Sequence, residues 1–189
     1  NTEGRVTRIY KNNGDNTFTA QPLIPLVQVG YGSTEWGDYD NDGYLDLFIS
    51  GSTSGLDDVT KIYRNDGNGS FIDQFPDGIS YTSSETSEWG DYDNDGDLDL
   101  LTTAFNDSKV YRNDNNAFTE QTDIQLDAAG YGTASWGDYD VDGDLDILIA
   151  GYASGYIPYT KIYRNNGDNT FSEDLSSVFP GAGFGSASW

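Results

Sequence analysis

The chain contains no cysteine and no histidine, and only nine of its 189 residues are lysine or arginine. Without cysteine there is no disulfide, no thiolate nucleophile and no cysteine zinc site. Without histidine the commonest proton shuttle is missing. Thirty-two acids against nine bases give a net charge of −23. Nucleic acid and anionic membrane are therefore not expected as partners, because both are bound through basic patches. No apolar run is long enough to form a membrane-spanning helix, so membrane insertion is not expected either. Of the nine bases, eight recur in one repeated landmark, at Arg8, Lys11, Lys61, Arg64, Lys109, Arg112, Lys161 and Arg164. A catalytic base is normally singular, whereas repeated cations offset repeated acids. No enzymatic activity is expected of this chain.

What the sequence does have is acid in one recurring pattern. Trp36-Gly37-Asp38-Tyr39-Asp40-Asn41-Asp42-Gly43-Tyr44-Leu45-Asp46 returns from Trp89 and again from Trp136. Carboxylates fall at loop positions 1, 3, 5 and 9, with glycine at position 6. The sets are Asp38, Asp40, Asp42 and Asp46; Asp91, Asp93, Asp95 and Asp99; and Asp138, Asp140, Asp142 and Asp146. Four like charges so close repel unless a hard cation lies among them, and calcium accepts six to eight oxygens in a flexible shell. The glycine permits the sharp turn that a Cβ resists. Position 7 (Tyr44, Asp97 and Asp144) would offer its main-chain carbonyl. The pattern thus predicts three calcium ions. It is not an EF-hand, which needs Glu at position 12 and flanking helices; position 12 is Ile49, Thr102 and Ile149.

The four tryptophans, Trp36, Trp89, Trp136 and Trp189, are spaced 53, 47 and 53 residues apart. A Lys/Arg-x-Tyr-Lys/Arg landmark and a turn leading to Phe18, Phe71, Phe118 and Phe171 recur in step with them. Each unit reads as four strands: one ending at the Trp, one over Leu45–Ser50 and its equivalents, one at the landmark, one starting at the Phe. Short strands, Gly-rich turns and no helical period mark an all-β repeat array, and a unit of this length matches a propeller blade. In the second strand Leu45, Leu47 and Ile49 should point one way and Asp46, Phe48 and Ser50 the other, so that the strand is sandwiched between blades. The tryptophans are expected to pack between blades, and Tyr39, Tyr92 and Tyr139, inside the loops, beside the ion sites. The Asn-Gly-Asp turns at residues 13–16 and 166–169 read as hairpin turn chemistry.

Tyr31-Gly32, the acidic loop and Ile49-Ser50-Gly51 together resemble the FG-GAP/VCBS-type repeats of integrin-like β-propellers. The resemblance covers almost the whole chain. It implies a calcium loop between the first and second strands of each four-stranded antiparallel blade, and a ring larger than this chain, since such propellers usually have seven blades. Ser84-Glu85 departs from the pattern where the second unit should carry an aromatic-Gly pair.

On this reading 1–189 is one β-propeller domain or fragment: 1–30 ends one blade, 31–80, 81–128 and 129–180 are complete blades, and 181–189 is the first strand of the next. Three complete blades plus parts of a fourth suggest part of a longer propeller, or closure with another chain. The expected function is a calcium-stabilised extracellular or cell-surface module for recognition or adhesion, binding a glycan or a protein partner. The alternative is a structural spacer in a larger surface protein or fibre; part of a polysaccharide-degrading enzyme is the least favoured. Ligand contacts are sought in the variable loops, where Tyr152, Tyr156 and Tyr159 are expected to form an aromatic cluster.

Overall fold

A computed structural model of the chain describes residues 4–74, 78–80, 86–153, 155–177, 179–183 and 189. The described residues are all-β. A two-stranded hairpin, β1 (Tyr10–Asn12) and β2 (Phe18–Ala20), precedes three four-stranded sheets. The first holds β3 (Thr34–Gly37), β4 (Asp46–Ser52), β5 (Asp58–Asn65) and β6 (Phe71–Gln74). The second holds β7 (Thr86–Gly90), β8 (Asp99–Thr103), β9 (Ser108–Asp114) and β10 (Ala117–Glu120). The third holds β11 (Gly130–Gly137), β12 (Asp146–Ala153), β13 (Ile157–Asn165) and β14 (Phe171–Glu173). Each is an antiparallel meander in chain order. The first strands β3, β7 and β11 are neighbours, so the sheets meet along one inner edge as propeller blades do.

Burial of the second strands on both faces holds the sheets together. Phe48 of β4 joins Tyr39, Ile62, Leu100, Tyr111 and Phe118 in one core between the first two sheets. Its strand neighbours Leu47 and Ile49 join Leu26 and Tyr63 on the other side. Between the second and third sheets, Tyr92, Leu101 and Val110 meet Trp136, Ile147, Ile149 and Tyr163. Each such side chain contributes about 1.5–3 kcal/mol on leaving water.

Trp89 and Trp136 lie between sheets, and Trp189 lies on the third. Trp36, expected between blades, is instead 47% exposed and meets Phe71 of its own sheet edge to face at 5.9 Å. The reason is that, among the described residues, a two-stranded hairpin and not a full sheet precedes it. Trp89 stacks on Tyr39 with centroids 6.3 Å apart, Trp136 on Tyr92 at 5.8 Å, and Trp189 on Tyr139 at 6.0 Å. Each indole also lies directly on a glycine of the preceding sheet (Gly37, Gly90 and Gly137), where a Cβ would overlap the ring.

The structure differs from the sequence reading at several strand ends. The second strands begin at Asp46, Asp99 and Asp146, one residue later than expected, because pairing starts opposite Gly37, Gly90 and Gly137. Leu45 therefore still belongs to the loop and is 56% exposed instead of sharing the face of Leu47 and Ile49. Arg8 and Ile9 precede β1. The β9–β10 hairpin turns on Asn115 and Asn116, both at positive φ (53° and 72°), the two-residue turn that suits strand twist, so β10 starts at Ala117. Ser84-Glu85, Ser154 and residues 184–188 lie outside the described residues.

Candidate functional site

Each acidic loop folds around its first aspartate. Asp38 accepts hydrogen bonds from the backbone N–H groups of Asp42 and Gly43, both at 3.0 Å. Asp91 does the same with Asp95 and Gly96, and Asp138 with Asp142 and Gly143. The position-5 aspartates Asp42, Asp95 and Asp142 accept from the N–H of Tyr44, Asp97 and Asp144. The turn then needs φ near +90°, and Gly43, Gly96 and Gly143 supply +91°, +95° and +97°. Nothing lies within 4 Å of a Cβ built at these three glycines, so backbone conformation and not space demands them.

The position-9 aspartates enter from the second strands and are buried. Asp46 accepts from Asn65 N–H at 2.7 Å and Tyr39 N–H at 3.3 Å; Asp99 accepts from Asn113 and Tyr92, and Asp146 from Asn165 and Tyr139. Burial pushes Asp46 up to about 6 and Asp99 up to about 7, against the hydrogen bonds that favour their charge. Asp146 is raised for the same reason, and so are Asp40 and Asp93, with their neighbouring carboxylates adding to the effect. These are carboxylates held where they are short of positive charge.

Carboxylate oxygens converge in all three loops. Asp38, Asp40 and Asp42 bring theirs within 4.8 Å of one another, as do Asp91, Asp93 and Asp99, and Asp138, Asp140 and Asp146. The fourth members, Asp46, Asp95 and Asp142, stand outside these groups. In the second loop Asp93 Oδ1 is buried without a hydrogen-bond partner, a penalty that a cation would remove. An all-oxygen, anionic donor set with such an orphan fits a hard divalent metal ion. The position-7 side chains face elsewhere: Asp97 accepts from Asn41 and from Asn115 N–H, Asp144 accepts from Asn94, and the Tyr44 ring lies over Gly67.

Arginines from the third strands offset part of the charge. Arg164 pairs with Asp140 at 2.7 Å and Asp142 at 2.9 Å, and Arg64 reaches Asp42 at 3.7 Å. Arg112 pairs instead with Asp114, at 2.6 Å, outside the second acidic loop.

The sequence reading missed a second feature of the loops. Asn113, one residue before the end of β9, and Asn165, the last residue of β13, are 0% and 1% exposed and donate their amides to Tyr39 O and Tyr92 O of the preceding sheet at 2.9 and 3.0 Å. The signal was available, since Tyr-Arg-Asn recurs at Asn65, Asn113 and Asn165.

The tyrosine cluster is rearranged. Tyr152 and Tyr156 meet edge to face at 6.1 Å. Tyr159 turns away: its hydroxyl donates to Ala128 O at 2.8 Å and Lys161 lies over its ring, so it is part of the wall. Phe105, in the β8–β9 turn of the second sheet, takes the third place, with its ring 5.4 Å from Tyr131 and 6.4 Å from Tyr156. Phe105, Asn106, Tyr152 and Tyr156 border a cavity of about 380 Å³ between the second and third sheets. Tyr131 and Tyr156 hold φ of +52° and +59°, a conformation costing about 1–2 kcal/mol for a residue with a Cβ. Tyr31 and Leu56 repeat that backbone in the first sheet, at 86% and 76% exposure.

A search of curated proteins finds no match to this chain. Among solved structures it is similar to an Agrocybe aegerita lectin, described as showing specific recognition of non-reducing terminal N-acetylglucosamine. The identity is 16% and the TM-score 0.46, over 94% of this chain and 62% of that one. The chain thus spans less than two thirds of that lectin. A family model described as FG-GAP-like repeat matches residues 2–49, 38–102 and 91–149, the last two running from one acidic loop through the next. These matches take in well over half of the sequence, and the chain belongs to the FG-GAP-like repeat family.

Proposed function

We propose that this chain is a calcium-stabilised extracellular or cell-surface recognition module, without catalytic activity, that binds a glycan or protein partner. Calcium fills the three acidic loops and acts structurally. At a free concentration about a hundredfold above its dissociation constant each ion adds roughly 2.7 kcal/mol to stability. Further blades, from the same or another chain, complete the ring.

The observation that carries the recognition reading is the aromatic cradle. Its volume is that of a small-ligand pocket, and its bulky Tyr131 and Tyr156 stand exposed on a strained backbone that glycine would adopt freely. Strain of this kind collects at binding sites. A glycan array and a pull-down, each in calcium and in chelator, test it. Phe105→Ala with Tyr156→Ala is expected to abolish binding while the protein stays folded. Tyr159→Phe, which removes only the bond to Ala128, is expected to bind normally and lose about 1 kcal/mol of stability. Unaltered binding by the double variant would leave the second reading, a structural spacer, which the ring-to-ring contacts inside the cradle also suit.

A further inference from the structure

The acidic loops are tied to one another in chain order, each to the next, by donors from both sides. Asn41, at position 4 of the first loop, donates its amide to Asp97 Oδ1 at 2.8 Å and to Gly96 O at 3.1 Å in the second loop. Asn94 in the second loop donates to Asp144 Oδ1 at 2.9 Å in the third. Beneath these surface clasps lie the buried amides of Asn113 and Asn165. Asn113 donates its side chain to Tyr39 O in the first loop, while its own N–H holds Asp99 of the second. Asn165 joins Tyr92 of the second loop to Asp146 of the third in the same way.

Every tie therefore ends on a residue of the candidate metal sets or on its immediate chain neighbour. Asp97 is the position-7 residue, and Asp99 and Asp146 are position-9 aspartates. Ordering one loop fixes the acceptor on which its neighbour's asparagine rests. We infer that Asn41, Asn94, Asn113 and Asn165 are positioning residues that couple adjacent cation sites, so that the three loops bind calcium cooperatively. This rests on the calcium reading above. The third loop sends no clasp onward: its position 4 is Val141, 86% exposed and unable to donate.

The coupling can be measured on the whole chain with calcium alone as ligand. Asp93→Asn with Asp95→Asn disables the second loop while keeping amide oxygens for its internal turn. Calorimetric titration should then show calcium at the first and third loops weakened fivefold or more, the lower end of ordinary coupling between sites. Asn41→Gly with Asn94→Gly keeps the positive φ of both residues (57° and 59°) and removes only the surface amides. On that background three ions should still bind, and disabling the second loop should change the other two sites less than in the parent, which closes a double-mutant cycle. Hydrogen exchange of the first loop gives a readout independent of affinity: filling the second loop should slow it in the parent and less so in the glycine variant. The inference fails if disabling the second loop leaves the other affinities within twofold, or if the glycine variant keeps the full coupling. Absence of any calcium binding by the parent would remove the calcium reading together with it, whereas three independent ions would remove the coupling alone.

Discussion

The phenol of Tyr92 and the indole of Trp136 lie parallel, their planes 3° apart and their centroids separated by 5.8 Å. Tyr92 belongs to the acidic loop of the second sheet and Trp136 to the first strand of the third, so this stack joins metal loop to sheet interface. The same indole rests on Gly90 and donates its N–H to Glu88 O at 3.3 Å. Trp136→Ala is expected to lower unfolding free energy by about 3–5 kcal/mol. Gly90→Ala should lower it by about 1–3 kcal/mol, because the added methyl overlaps the ring. Urea titration checks both; a Gly90→Ala protein as stable as its parent would mean that the sheets separate easily.

Asp93 and Asp91 should respond differently to chelation. Asp91 accepts two backbone bonds, whereas Asp93 Oδ1 has no partner. Asp93→Asn is expected to melt lower than the parent in calcium, and at or above it in chelator, where one like charge has been relieved. Asp91→Ala should melt lower in both, having lost two bonds worth about 1 kcal/mol each. Thermal scans in millimolar calcium and in EDTA distinguish the two.

Glu35 gives a pH dependence away from the loops. Burial raises its carboxyl, and the Glu88 carboxylate on the neighbouring strand raises it further. Glu88 itself accepts from Trp136 N–H at 2.9 Å. With the folded value above the unfolded one, the native state holds the extra proton, and stability falls as pH rises through that window. Glu35→Gln should therefore stabilise the protein at neutral pH, with the gain vanishing below the ordinary glutamate range near 4.3. Melting curves of both proteins from pH 3.5 to pH 7.5, in fixed calcium, read the difference; a gain that persists in acid would assign it to packing.

Val141 holds φ +62° where the equivalent residues are Asn41 and Asn94. A β-branched side chain is strained in this region, which asparagine tolerates. Val141→Asn is expected to raise stability by about 1 kcal/mol, measured by denaturant midpoint. No gain would show that an unseen contact of the valine offsets its backbone strain.

The three acidic loops could be read from the residues because their information is local: charge, glycine and spacing sit within a few residues of one another. The sandwiched second strands were legible for the same reason, as Phe48 and Ile49 declare opposite faces by alternation alone. Leu45 was misplaced because alternation does not mark where pairing begins, and the first paired residue is Asp46 opposite Gly37. The ties of Asn113 and Asn165 escaped because their acceptors lie 74 and 73 residues away in the preceding sheet. Phe105 carries no periodic mark; only the approach of Tyr131 and Tyr156 from the next sheet gives it a role. Tyr159 misled because sequence proximity to Tyr156 says nothing of which way a strand residue turns.

Trp189 lies on Gly137 and stacks against Tyr139, yet it belongs to no strand of the third meander. Each unit is thus roofed by a residue from the unit that follows it, as shingles overlap down a slope. A boundary drawn between complete meanders would cut the indole away from the glycine it covers and wet the loop tyrosine beneath. Any dissection of this protein into single modules should carry the next tryptophan along, since the piece that folds is one sheet and its neighbour's eave.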